Sequence, residues 1–276
     1  MSGSIRSAIF IILSLAAVST AIPQEPPGDK VTVTFSDPSR PGTLKVNLLE
    51  GSITVKGHER KEVFIEANSR QRGSHRTGER ADGLRRLQSP GAGMTVEEEN
   101  NVMSVSVGAM GRGVNLSIQV PARTSLKLSS VNDGDITVEK IQGEIEVNNV
   151  NGKVTLMSIS GSVIAHALND NVVAVFDAVT PGKTMSFSSL NGNIDVTFPQ
   201  DLKANVVMKS DQGEIYSDFD IRMDPSARPP VVKDSRPKGG KYRIHLEKAL
   251  YGTINGGGPE MQFKNFNGDI YNRKKK

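Results

Sequence analysis

The stretch Gly134–Asn169 reads GDITVEKIQ, GEIEVNNVN, GKVTLMSIS, GSVIAHALN: four consecutive nine-residue units, each opened by a glycine, at Gly134, Gly143, Gly152 and Gly161. Two positions after each glycine stands Ile136, Ile145, Val154 or Val163. A short fixed period with one glycine per unit marks stacked β-coils, in which a unit buries its apolar face only against its neighbours. The sequence therefore predicts an all-β chain folded as a single β-solenoid.

With the glycine as position zero, the second, fourth and seventh positions are apolar in all four units, ending in Ile141, Val150, Ile159 and Leu168. They are expected to be buried. The third position, holding Thr137, Glu146, Thr155 and Ile164, faces outward, since period-two alternation is the strand signal. Asp133, Gln142, Asn151 and Ser160 precede the glycines and complete the turns, where glycine is expected to supply a positive φ at low cost. Nine residues make one strand and one turn, so two units form one coil of 18 residues. Residues 18 apart then stack about 4.8 Å apart, placing Asp135 by Lys153 and Thr137 by Thr155.

The same unit recurs around Gly51, Gly192, Gly213 and Gly268. The spacings from Asp170 to Gly192 and on to Gly213 read as successive coils lengthened to about 21 residues at proline-bearing corners, where proline disturbs no central ladder. The domain is expected to span residues 31–272, with irregular loops at 68–93 and 224–240. Residues 22–30 form a Pro-rich linker and 273–276 a solvated basic tail. Residues 1–21 read as a secretory signal: Arg6, an apolar run Ala8–Val18, then Ser19-Thr20-Ala21 as a small-residue cleavage site. The alternative is an uncleaved N-terminal anchor, although the run is short of the ~20 residues of an ordinary span.

The chain has 276 residues, no cysteine, no tryptophan and a formal charge of +4. Loss of Arg6 with the signal lowers that charge further. So small an excess gives no case for nucleic acid, and no membrane span is expected after signal removal. Disulfides, thiolate metal sites and cysteine nucleophiles are excluded.

No catalytic, cofactor-binding or metal-ligating set emerges. His58, His75, His166 and His245 are scattered, without metal-ligand spacing. Asp133, Asp135, Glu144 and Glu146 cluster in sequence, as an acid–base or Ca²⁺ site would require, but alternate units fall on opposite faces. The doubled glycines and repeated aspartate of Ca²⁺-binding nonapeptide rolls are absent. Asn255-Gly256-Gly257-Gly258-Pro259 reads as a corner, with no following helix to hold an anion. The candidate binding surface comprises Arg70, Arg72, Arg76, Arg80, Arg85 and Arg86, suited to an anionic partner, with Tyr216 and Tyr271 as an outward aromatic shelf.

Val120-Pro121-Ala122-Arg123-Thr124-Ser125-Leu126-Lys127-Leu128 with Val131–Ile136, and Ile254–Glu260 with Asn267–Ile270, resemble the bacterial putative-adhesin family, a domain of unknown function. The resemblance covers residues 30–272. It implies an exported β-solenoid, located in the periplasm, on the outer cell surface or outside the cell, and brings no catalytic residues. The expectation is a non-catalytic envelope protein, adhesin-like, that binds a protein or an anionic polysaccharide without a cofactor. The alternatives are a β-helical enzyme acting on polysaccharide and a periplasmic structural or signalling partner.

Overall fold

The computed structural model describes residues 28–70, 93–108, 113–224, 231–234, 242–245 and 249–276. The signal 1–21 and five of the candidate arginines, Arg72, Arg76, Arg80, Arg85 and Arg86, lie outside them. The described residues contain strands and no helix. In chain order these are β1 (Asp29–Thr34), β2 (Thr43–Glu50), β3 (Ile53–His58), β4 (Glu62–Ser69), β5 (Met94–Glu99), β6 (Val102–Val107) and β7 (Val114–Pro121). The repeat and its flanks give β8 (Ser125–Asn132), β9 (Ile136–Glu139), β10 (Ile145–Asn149), β11 (Val154–Gly161), β12 (Val163–Ala167) and β13 (Val172–Val179). There follow β14 (Met185–Asn191), β15 (Ile194–Phe198), β16 (Ala204–Ser210), β17 (Ile215–Ser217), β18 (Ile221–Met223), β19 (Val231–Asp234), β20 (Tyr242–His245), β21 (Leu250–Ile254), β22 (Glu260–Asn267) and β23 (Ile270–Lys274).

These strands build two large mixed sheets and a separate β19–β20 pair. From β8 to β17 the chain alternates between the sheets, and nearly every neighbour within a sheet is parallel. Val154 pairs with Ile136 and Thr155 with Thr137, the 18-residue register that the repeat requires. Asp135 meets Lys153 through the backbone, its Oδ1 accepting the Lys153 N–H at 2.9 Å. Inward aliphatic residues stack strand on strand: Ile53, Ile136, Val154, Val172, Ile194 and Ile270 lie in one register and are fully buried. Phe176, Phe187, Phe198 and Phe263 form a buried aromatic cluster, Phe176 stacked on Phe198 at 4.9 Å and Phe187 on Phe263 at 5.3 Å.

The order of strands in the two sheets differs from the chain order at both ends. β2 lies between β6 and β8 and β3 between β7 and β9, while β22 lies between β14 and β16 and β23 between β15 and β17. The Gly268 turn thus lies against the Gly192 turn, and Gly213 stacks on the far side of Gly268, so the Gly192 and Gly213 turns are not adjacent. Antiparallel strands close the stack, β1 with β4 and β5 with β6 at one end, β21 with β16 and β18 at the other. They protect parallel edges that would otherwise template pairing with another chain.

Three boundaries move. Asp29 and Lys30 belong to β1, Val231–Asp234 within the supposed second loop is β19, and Arg273 and Lys274 end β23. The supposed tail is held by pairing, because Arg273 Nε lies 2.7 Å from Asp195 Oδ1 and Lys275 Nζ lies 2.6 Å from Asp177 Oδ1.

Gly51 (φ 127°) and Gly268 (φ 139°) take the expected positive φ, but the turn glycines of the four-unit repeat are needed for another reason. Of those in the repeat, none has a positive φ; in the Gly134 turn the left-handed residue is Asp133 (φ 52°). A Cβ on Gly134 would instead overlap the carbonyl of Gly51, and one on Gly152 the carbonyl of Gly134. Glycine stands there because successive turns touch backbone to backbone.

Candidate functional site

The seventh position of the repeat is not uniformly inward. Ile141, just after β9, and Ile159, within β11, are buried, but Val150 is half-buried and Leu168 is 42% exposed. On strands of the second sheet the sixth residue turns in instead, as Asn149 and Ala167 do. The buried sixth-position side chains reach the turn carbonyls: Ser130 donates to Gly51 O, Asn149 to Gly134 O, Ser189 to Asp170 O and Asn265 to Gly192 O, at 2.8–3.0 Å. With that residue fixed inward, alternation forces the next one out.

The consequence is a ridge. Leu49, Val131, Val150, Leu168, Leu190 and Phe266 follow one another along the edge of the second sheet, one at the end of, or just past, each strand from β2 to β22. Leu49, Leu168, Leu190 and Phe266 are each more than 40% exposed. Beside them runs an asparagine ladder, Asn151 donating to Asn132 at 3.1 Å, Asn169 to Asn151 at 2.8 Å and Asn191 to Asn169 at 3.0 Å. These amides satisfy one another along the stack and leave a neutral polar border.

A groove of about 400 Å³ lies along the ridge, lined by Leu168, Leu190 and Phe266 on one side and by Asn148, His166, Ser188 and Lys264 on the other. His166 Nδ1 sits 2.5 Å from Ser188 Oγ. Burial pushes the His166 pKa below its ordinary value, against the opposing pull of the Glu146 carboxylate. The imidazole is therefore neutral at physiological pH. A serine beside a neutral histidine is the beginning of a nucleophilic pair. Here it lies in the middle of a parallel ladder, with β10 and β22 flanking β12 and β14, so the surrounding backbone N–H groups are committed to the sheet. An oxyanion hole needs donors free to meet developing charge.

Arg70 is the one described member of the arginine set. Its Nε donates to Asn115 Oδ1 at 2.7 Å and a terminal nitrogen donates to the Asp133 carbonyl, fastening β4 to the Gly134 turn. Tyr216 and Tyr271 do come together, stacked at 5.2 Å with planes 9° apart, at the β17 edge of the first sheet. Tyr271 also donates its hydroxyl to Asp269 at 2.9 Å, which raises its pKa. The clustered carboxylates are dispersed: Glu144 pairs with Lys183 at 2.9 Å, Glu146 with Lys127 at 3.1 Å, and Asp135 binds the Lys153 backbone. Among the described residues no group of three or more acidic or histidine side chains could hold a metal ion. His58 is half-buried and packs on Phe64.

The ridge escaped the sequence reading because Val150 and Leu168, the two members it placed, were assigned to the core. The signal was present: Leu49-Glu50-Gly51, Val150-Asn151-Gly152, Leu190-Asn191-Gly192 and Phe266-Asn267-Gly268 each place an apolar residue two before the turn glycine. By strict alternation from the buried aliphatic positions, that residue faces out.

No protein-family model and no curated protein matches the chain. Among solved structures, it is similar to one described as a "putative cell adhesion protein" from Clostridium sporogenes, with 11% identity and a TM-score of 0.48 over 90% of this chain and 99% of that one. A "putative adhesin" from Bacteroides fragilis gives 10% identity and a TM-score of 0.32 over 88% of this chain and 96% of the other. One from Parabacteroides merdae gives 8% identity and a TM-score of 0.25 over 68% and 83%.

Proposed function

We propose that the chain is a single β-solenoid and acts as a non-catalytic, exported scaffold of the cell envelope, adhesin-like, binding a protein partner along its apolar ridge. Alternation of strands between two sheets, the 18-residue register and the stacked turns support the solenoid reading.

The ridge carries the functional reading. The fold does not require apolar residues on an outer ladder: on the first sheet the outward third position of the repeat and its neighbours runs Ser117, Thr54, Thr137, Thr155. Contiguous exposed apolar surface rimmed by polar groups marks a contact site. Six strands at about 4.8 Å spacing make a straight strip of roughly 24 Å. An apolar strip of that shape, bordered by amides along one side and by one cation and one anion, Lys264 and Asp211, in the groove, matches the apolar side chains of a protein better than a charged saccharide.

The test is retention of the tagged protein on isolated cell envelopes, comparing wild type with a Leu168→Ser, Leu190→Ser, Phe266→Ser variant. Retention should fall at least tenfold in the variant while its thermal midpoint stays close to wild type, and protease treatment of the envelopes should abolish it. A variant that is retained as well as wild type overturns the reading. Protease shaving of intact cells against lysed cells separates outer-surface display from a periplasmic role.

A further inference from the structure

At the opposite edge of the stack, near the β1 end, a hollow of about 250 Å³ opens between the Phe35–Gly42 loop, the turn after β3, the Pro121–Thr124 turn and Gln142. It is lined by Arg40, Arg60, Lys61 and Arg123 against a single carboxylate, Glu59. Arg40 is engaged by Asp37 at 2.8 Å, and Arg60 lies 4.6 Å over the Phe64 ring. Neither Lys61 nor Arg123 has a side-chain partner among the described residues. Three separate turns thus deliver cations to one concavity, although like charges are unfavourable together and nothing in the fold obliges them to meet.

Two of the lining residues, Thr124 and His58, each hold a buried polar atom without a partner. Thr124 is 1% exposed and its hydroxyl has no hydrogen-bond partner. His58 Nδ1 accepts the Arg60 N–H at 3.0 Å. In the neutral ring this leaves the hydrogen on Nε2, and Nε2 is buried without an acceptor. Two lining residues thus hold a buried O–H and a buried N–H without an acceptor, and the cations around them favour one that carries negative charge.

We propose that this hollow binds an oxyanion group, a sulfate, phosphate or carboxylate, held by Lys61, Arg123, Thr124 and His58. The site is separate from the ridge and does not depend on it. The group can arrive as a free inorganic ion or as a substituent of an acidic polysaccharide, and one experiment distinguishes them. The protein is titrated with sodium sulfate and with a sulfated hexasaccharide, following the His58 ring signals by NMR, for wild type, Lys61→Gln/Arg123→Gln and Thr124→Val.

Saturable shifts at His58 are expected, weakening at least tenfold in Lys61→Gln/Arg123→Gln and with rising salt. Similar affinity for both probes identifies a site for the isolated ion; affinity at least tenfold tighter for the hexasaccharide identifies a polysaccharide subsite. Thr124→Val should weaken the titration without lowering the thermal midpoint, since it removes a buried unpaired hydroxyl. Absence of saturable shifts with both probes, or a titration unchanged in Lys61→Gln/Arg123→Gln, overturns the proposal. The Leu168→Ser, Leu190→Ser, Phe266→Ser variant should titrate like wild type, so failure here and failure of the ridge reading remain distinct.

Discussion

Ser130 donates its buried hydroxyl to the carbonyl of Gly51 at 2.9 Å, joining a β8 side chain to a turn 79 residues earlier in the chain. Asn149, Ser189, Asn265 and Ser210 do the same for Gly134, Asp170, Gly192 and Gly268. Turn carbonyls in a tight stack are closed off from water, and an unpaired buried acceptor costs about 1–3 kcal/mol. Ser130→Ala should therefore lower the unfolding free energy by about that amount in urea titration. Ala167 occupies the same register position as Asn149 and Ser189 without a side chain able to donate. Ala167→Ser, reaching toward the Gly152 carbonyl, should raise stability by ~1 kcal/mol. A loss of stability in that variant would show that the corner is already satisfied.

A second prediction separates two reasons for glycine. If Gly134 served a left-handed backbone, Ala would cost only the ~1–2 kcal/mol of that conformation. Its φ is not positive, and the obstacle is the Gly51 backbone, which cannot swing away as a side chain can. Gly134→Ala should thus push neighbouring coils apart and cost at least the ~1–3 kcal/mol of an overpacked core. Gly182, with φ of 74° and open space around it, should tolerate Ala better. Equal losses at the two positions in paired urea melts would refute the close-approach account.

Much of this was legible in the chain. The glycine period gives the two-sheet alternation and the 18-residue register, because period-two burial and a fixed turn leave few other solutions. The ridge was legible in principle and lost to an assumption that any apolar residue at a repeating position is core. What decides its direction is the preceding buried amide or serine, at Asn149 or Ser189, and polar residues carry no inward signal by themselves. The coil order was not legible. Ile270 and Ile215 present the same local pattern to Ile194, and only three-dimensional packing selects Ile270 as the neighbour. The basic hollow draws Arg40, Lys61 and Arg123 from three turns far apart in sequence, so no local window contains it.

The inserted coils make a prediction about local stability. Chain ends usually fray, but β22 and β23 lie inside the stack, with β14 and β16 on either side of one and β15 and β17 on either side of the other. Met261, Phe263 and Ile270 are fully buried. Their amides can open only when neighbouring coils separate, so hydrogen exchange there should be as slow as in β14 and β15. β18, at the end of the stack with antiparallel pairing on one side, should exchange faster. Rapid exchange through Glu260–Lys274 would contradict the inserted arrangement.

The histidine in the groove makes stability depend on pH in a definite direction. Burial beside Ser188 lowers the His166 pKa from the ordinary 6.5, so the unfolded chain takes up a proton at a higher pH than the folded one does. In the interval between those two values the unfolded state binds more protons, and stability rises with pH. The contribution is fully present above about 6.5, is lost as the solution is acidified below it, and levels off once the folded state is protonated too. Glu146 works against burial and narrows the interval. His166→Gln keeps a polar side chain toward Ser188 and cannot titrate. Thermal midpoints measured from pH 5 to pH 8 should therefore lose part of their acid slope in the variant, with the two curves closest at the alkaline end. Curves that stay parallel across that range would show that His166 is as readily protonated in the fold as outside it.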